Sequence, residues 1–232
     1  MIKVEVTVWG KFACFTRSDA RLNRISYDVP TPSACRGILE AIYCKPKEFW
    51  YEISEIRVLK PIRHIDIKKN EVKSKISVAG GKINPIDVNE KRTQRMTSYL
   101  ADVKYTICAN IHVRDSFLPD VQMCDKEKKI RTEFNKRVTK GKCFYQPYLG
   151  TRECMCFFKK ADPEDGTPVK VNKDLGIMLY DIFDPESIEP LDTSKKESPV
   201  FVTYYHPVMI DGVITVPRFD SGEIFKPAGV TA

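Results

Sequence analysis

The sequence predicts an α+β fold whose elements follow the order β-α-β-β-α-β. A basic hairpin interrupts that order between the second and third strands, and a small antiparallel β-sheet follows it. Three observations carry this reading. Four segments alternate apolar and polar residues with a period of two, and two others place apolar residues three and four apart. The composition then shifts after Lys160. The 232 residues can bury a substantial core, and 42% apolar with 30% charged content excludes wholesale disorder.

The first segment, residues 3–9, points Val4, Val6 and Val8 one way and Lys3, Glu5 and Thr7 the other. Residues 34–43 follow as a helix, with Ser33 as N-cap, Ala34, Ile38, Ala41 and Ile42 on one face, and Pro46 beyond its end. Residues 51–65 alternate again, with Pro61 marking a bend or an edge. Residues 66–98 are polar and basic around Gly80-Gly81 and read as a projecting excursion. Residues 99–113 form the third strand. Residues 126–140 form the second helix, with Ile130, Phe134 and Val138 in one stripe and Gly141 as its cap. Residues 149–158 are the fourth strand. This order is that of ferredoxin-like and RRM-like domains. After Lys160, Leu175–Phe183, Val200–Tyr205 and Val213–Val216 read as short strands, with Asp211-Gly212 as a hairpin turn.

The net charge of +7 is unevenly spread. Residues 57–95 hold eleven Lys/Arg against four acids, and residues 126–142 hold eight against two. Residues 161–198 reverse the sign, with ten acids against four lysines. Segregated positive charge of this kind is the footprint of a phosphate-rich partner. No RNP1 pattern occurs, so RNA recognition by stacking on an open RRM sheet is not expected. The eight cysteines include no CxxC pair, and buried reduced thiols suit them better than zinc ligands. No run of 18 apolar residues suggests a membrane span. The N-terminus lacks the apolar core of a signal peptide, so the expected location is the cytoplasm.

Four segments together resemble one family. They are Tyr27 to Pro46 (YDVPTPSACRGILEAIYCKP), Pro61-Ile62-Arg63 with Lys68-Lys69-Asn70-Glu71-Val72, Arg92-Thr93-Gln94-Arg95, and Gly141 to Glu153 (GKCFYQPYLGTRE). From about residue 3 to residue 216, the chain is similar to the subtype I-C (Dvulg) branch of the CRISPR-associated Cas-five family, within the RAMP superfamily. The resemblance implies a ferredoxin-like RAMP domain over residues 1–160, with a thumb at about 64–98, and a small β-rich C-terminal domain over 161–232. It also implies an endoribonuclease that cuts CRISPR repeat RNA without a metal or other cofactor. Such a protein stays on the 5′ handle of the crRNA within the type I-C surveillance complex. Its partners are then crRNA, the other subunits and, through the complex, target DNA.

Metal-free RNA cleavage requires that the ribose 2′-OH lose a proton and align with the adjacent phosphorus. It also requires cations at the phosphoryl oxygens and a proton for the leaving 5′-oxygen. The resemblance places a catalytic Tyr at Tyr43 and a catalytic Lys at Lys129, with Lys128 as its alternate. A His expected next to that Lys is replaced by Ile130, which also heads the apolar stripe of its helix. His64, His112 and His206 are the histidines left, and Tyr145 and Tyr148 are further RNA contacts. Arg36, Arg63, Lys68, Lys69, Arg92 and Arg95 are the expected contacts to phosphate or base edges. Arg152 and Glu153 are expected to pair with each other. The lysines of 126–129 are expected to supply the cations a reactive tyrosine needs. The loss of the histidine keeps a second reading open, a subunit that holds the 5′ handle without cutting. A structural subunit docked by its charged faces is a third.

Overall fold

The computed structural model describes residues 2–20, 23–79, 82–114, 123–182 and 202–226. Gly80-Gly81 and residues 183–201, which include Phe183, Val200, Phe201 and the second part of the acidic stretch 161–198, lie outside the described residues. In chain order the elements begin with β1 (Ile2–Ala13), β2 (Arg24–Ile25), α1 (Pro32–Ile42), β3 (Phe49–Val58) and β4 (His64–Val72). Then come β5 (Ser77–Ala79), β6 (Lys82–Asn84), α2 (Val88–Lys91), β7 (Arg92–Val113), α3 (Met123–Thr139) and β8 (Phe157–Lys160). The chain closes with β9 (Lys173–Asp174), β10 (Met178–Leu179), β11 (Tyr204–Tyr205), β12 (Val208–Ile210) and β13 (Val213–Thr215).

The result is a strand-rich, largely antiparallel sheet with few helices. Its main path runs β8-β1-β7-β3-β13-β12-β9. The three central strands stack their apolar residues in rows. Val4, Ala109 and Ile53 share one row, Val6, Ile107 and Ile56 the next, and Val8, Tyr105 and Val58 a third. β3 keeps this match because its register shifts by one between Ile53 and Glu55. Ser54 is the extra residue, and its hydroxyl donates to the Cys108 carbonyl at 3.2 Å. Without that bulge, either Ile53 or Ile56 would face the polar side.

Both helices contribute to the same core. α1 buries Cys35, Ile38, Leu39 and Ile42, and α3 buries Ile130, Phe134 and Val138. They meet around Tyr51, whose ring lies 6.1 Å from that of Phe134 and whose hydroxyl donates to the Tyr43 carbonyl at 2.6 Å. The helix cap is not Ser33. Thr31 caps α1, accepting from the Ala34 N–H at 3.2 Å, and Pro32 occupies the first turn, where no N–H partner is needed.

The segment 51–65 is two strands, not one. β3 ends at Val58, and after Pro61 the chain resumes as β4 along the same strand β7. β7 is therefore longer than expected, 22 residues, and serves both the core and the projecting hairpin. Asp102 stands where β7 changes partner. It has a φ of 53°, which aspartate tolerates, and it accepts an ion pair from Lys60 at 2.7 Å. The fourth predicted strand, 149–158, is displaced to Phe157–Lys160 and overlaps it only at Phe157 and Phe158, and the residues before it form a loop.

The C-terminal strands do not stand apart. β13 pairs with the outer edge of β3, with Ile214 opposite Ile56, and so satisfies backbone groups that edge would otherwise expose. The Asp211-Gly212 turn then brings in β12, as the sequence predicts. Among the described residues beyond 160, only the pair β10–β11 forms a separate small sheet.

On the polar side of the sheet, Asp165 is the main anchor. Its carboxylate accepts from Thr7 at 2.8 Å and from the Asp162 N–H at 3.0 Å, and pairs with Lys104 and Lys159 at 3.0 and 2.6 Å. Burial alone would raise its pKa. The surrounding donors outweigh that and hold the carboxyl well below the usual carboxylate range. Its contribution is therefore present above the unfolded-state pKa near 4 and is lost as pH falls below that value. Asp165→Asn should lower stability by about 2 kcal/mol at pH 7. In urea melts the deficit should shrink steadily from pH 4 to pH 2.5, and a constant deficit would contradict this account.

Candidate functional site

Tyr43 is the C-cap of α1. Its N–H donates to the Leu39 carbonyl at 2.9 Å, and its ring packs on Phe49 at 5.1 Å. The Arg137 guanidinium lies 5.0 Å from the ring centre. Arg137 is held there by Glu133 at 3.1 Å and donates to the Ile42 carbonyl at 3.3 Å. Lys45 completes the surroundings, tied to Glu48 at 2.7 Å. Burial raises the Tyr43 pKa above its ordinary value, with Lys45 and Arg137 opposing and Glu48 and Glu133 assisting. At neutral pH this hydroxyl is protonated, which fits it to donate a hydrogen bond.

The cation beside Tyr43 is thus Arg137, which sequence reasoning passed over, and not the 126–129 cluster. Lys128 and Lys129 are exposed on the first half of α3. Lys129 is eight residues from Arg137, roughly 12 Å along the helix axis. The signal for Arg137 was available in the sequence. It follows Glu133 by four residues and precedes the helix cap, so it sits at the helix end that meets α1. Ile130 is 3% exposed and belongs to the core, as its stripe predicts. The histidines are bonded elsewhere. His64 pairs with Asp28 at 2.8 Å, His206 with Asp174 at 2.6 Å, and His112 with Glu52 at 2.8 Å while stacking on Trp50.

The loop after α3 builds the next part of the site. Gly141 ends α3 with a φ of 62°, and the Lys142 N–H reaches back to the Arg137 carbonyl at 2.8 Å. The Phe144 and Tyr145 N–H groups both donate to the Ala41 carbonyl, at 2.7 and 3.2 Å. That bond satisfies one of the orphan acceptors at the end of α1. Leu149 is pinned on both sides, its N–H donating to Cys154 and its carbonyl accepting from Cys14. Gly150 follows with a φ of 85°, and a Cβ there would stand 2.0 Å from the Cys14 carbonyl oxygen. Only glycine fits that approach. So pinned, the loop presents Tyr145 and Tyr148, 47% and 37% exposed, over a cleft of about 300 Å³. The flank of α1 forms its floor. A second cleft of about 470 Å³ shares both tyrosines and adds Arg152 and Met155.

The basic hairpin β4–β7 divides its charges into free and committed ones. Arg63, Lys68 and Arg92 are exposed. Arg95 is half-buried opposite Lys69. Lys69 is committed: it pairs with Glu153 and lies 4.8 Å from the Tyr99 ring centre, while the Tyr99 hydroxyl also donates to Glu153. This lock ties the hairpin to the 141–157 loop, and it gives Glu153 a partner other than the expected Arg152. Arg36 is a correction as well. It is 6% exposed, with two bonds to Asp181 at 2.9 and 3.1 Å and a third to Glu40. Its guanidinium is committed to two carboxylates and joins α1 to the C-terminal segment. Burial alone would lower its pKa, but the two carboxylates keep it charged.

Among the described residues, no group of three or more His, Cys, Asp or Glu side chains could hold a metal ion. None of the described helices is long and apolar enough to cross a membrane.

Comparison with known proteins places this geometry. The family described as CRISPR-associated protein (Cas_Cas5), in its Cas5d form, matches residues 4–217. The chain is 35% identical to the CRISPR pre-crRNA endoribonuclease Cas5d of Mannheimia succiniciproducens, covering 96% of this chain and 98% of that one. It is also 35% identical to the protein of the same description from Thermus thermophilus, covering 97% and 96%. Among solved structures, one described as a CRISPR-associated protein superposes with a TM-score of 0.64 at 24% identity, over 97% of this chain and 96% of that one. The functionally uncharacterized protein SMU1763c from Streptococcus mutans gives 0.64 at 22% identity, over 97% of each chain.

The loop geometry yields a direct test. Gly150→Ala should destabilise the fold by about 3 kcal/mol, from the left-handed backbone and the clash with Cys14. Chemical denaturation measures it, and a loss under 0.5 kcal/mol would show that the loop is not pinned as described.

Proposed function

The chain belongs to the Cas5d family of CRISPR-associated proteins, and from that premise we propose that it is the endoribonuclease that matures crRNA in a type I-C system. Two relatives named for that activity, each aligned over at least 96% of this chain, carry the proposal. The substrate is CRISPR repeat RNA. The ribose 2′-OH attacks the adjacent phosphorus, leaving a 2′,3′-cyclic phosphate and a 5′-OH, with no metal required. The protein then keeps the 5′ handle and joins the other subunits of the surveillance complex, through which it meets target DNA.

We read the architecture as ferredoxin-like over residues 1–160. β1, α1, β3, β7, α3 and β8 supply the β-α-β-β-α-β unit, and their strands stand in the order β8-β1-β7-β3. The β4–β7 hairpin is the thumb, and residues 161–232 are the C-terminal β-rich part, joined to the first through β13.

In this reading Tyr43 is the proton donor or hydrogen-bond donor at the scissile phosphate, which its protonated state at neutral pH supports. Arg137 and Lys45 neutralise the charge that grows on the phosphoryl oxygens. Lys129 and Lys128 reach the RNA from the exposed face of α3. Arg63, Lys68, Arg92 and Arg95 hold its backbone, and Tyr145 and Tyr148 meet its bases.

One observation favours the second reading, a handle-holding subunit without cleavage. Where the resemblance expects a histidine, Ile130 is sealed in the core. Single-turnover cleavage of a stem-loop repeat RNA in EDTA, with a 2′-deoxy control at the scissile nucleotide, separates the two. We expect cleavage of the RNA and not of the deoxy control. Tyr43→Phe should slow it at least a hundredfold with RNA affinity held within threefold. Arg137→Ala should slow it more than Lys129→Ala does. Tight binding with no cleavage would leave the handle-holding role.

A further inference from the structure

Gly37 stands in the middle of α1, where glycine weakens a helix relative to alanine. Neither usual reason for a glycine applies. Its backbone is ordinary helix, without a positive φ, and among the described residues no heavy atom other than those of its chain neighbours and of the helix's own adjacent backbone lies within 4 Å of where a Cβ would stand. The fold pays for this residue and gains no contact from it.

What its bareness does is open the floor of the 300 Å³ cleft, which Tyr145 and Tyr148 wall from above. Thr16, Thr31 and Ser33 bring hydroxyls to the lining, and no carboxylate lines it. Arg152 lines the adjoining cleft beside the same two tyrosines. Flat aromatic walls, hydroxyl-bearing residues and a lining without a carboxylate, with Arg152 next door and Glu40 acting on Tyr145 from outside the lining, match one ligand chemistry, a nucleobase attached to a phosphate chain. The volume of about 300 Å³ lies at the small end of ligand clefts, which suits a single base.

We infer that this cleft seats one unstacked nucleobase of single-stranded RNA over Gly37, against the rings of Tyr145 and Tyr148. The inference rests on the RNA-processing reading above and adds to it where the single strand is gripped. The grip is separate from the Tyr43 end of α1, so binding and cutting occupy two stations along one helix.

Gly37→Ala in the full chain tests this, because the fold and the RNA respond in opposite directions. Thermal melting should rise by about 1–3 °C, since the new methyl meets nothing and improves the helix. Affinity for a stem-loop repeat RNA with single-stranded flanks should fall at least fivefold. Affinity for a blunt RNA duplex should not change, and the salt dependence should keep its slope, because no phosphate contact is lost. Tyr145→Leu and Tyr148→Leu should each cost roughly tenfold on the flanked RNA. A higher melting temperature with unchanged affinity for the flanked RNA would show that the cleft takes no base, whether or not the wild-type protein cleaves. A lower melting temperature would show that the glycine serves the fold, and the inference would fall. Wild-type protein that neither binds nor cuts repeat RNA would overturn the RNA reading itself.

Discussion

The structure depends on three strands agreeing about which way their side chains point. Val6, Ile107 and Ile56 form one row of the core, and the rows above and below repeat the pattern. Because strand side chains alternate, a one-residue error would turn half of that surface over. β3 makes such an error and absorbs it at Ser54, so the apolar rows run unbroken beneath both helices. Everything functional is mounted on that floor. α1 and α3 take their places from it, and the end of one helix meets the end of the other at Tyr43 and Arg137.

The same packing sorts the basic residues by what they are free to do. Arg36 is sealed against Asp181 and Glu40, and Lys69 is locked to Glu153 and Tyr99. These two cations hold pieces of the protein together, one at the C-terminal segment and the other between hairpin and loop. Arg63, Lys68 and Arg92 remain at the surface. A net charge of +7 therefore overstates the charge available to a polyanion at some places and understates its placement at others. The useful quantity is which cations lack a carboxylate within reach.

Much of this was legible in the sequence. Alternation in residues 3–9 and the Ile130, Phe134, Val138 stripe gave the first strand and the second helix, because both signals are local periodicities. The Asp211-Gly212 turn was legible for the same reason. Most of the fourth strand was not: residues 149–156 are apolar enough to read as extended, but their backbone bonds go to Cys14, to one another and to the loop residues Gln146 and Pro147 just before them. The partner of Glu153 was equally hidden. Arg152 is adjacent in sequence, whereas Lys69 becomes adjacent only when the hairpin folds back. The burial of Arg36 belongs to this class, since it depends on how two distant elements meet, whereas Arg137 left a local signal in its spacing from Glu133 and only its contact with Tyr43 was hidden. Sequence order also suggested that the part beyond residue 160 would form its own sheet. Among the described residues, the open edge of β3 recruited β13, and through it β12 and β9, instead.

β7 is one strand with two duties, core pillar along its second half and arm of the hairpin along its first, and Asp102 marks the change of duty. A structure built this way restricts how its reach can be altered. Lengthening the arm requires residues on both β4 and β7, added in matched pairs, or the alternation that places Lys69 against Glu153 is reversed. Arms of different length in related chains should therefore differ in even steps along each strand. An odd change would have to be taken up at the far end, beyond Val72 and Arg92, where none of the described residues belongs to the buried core that fixes which face is which.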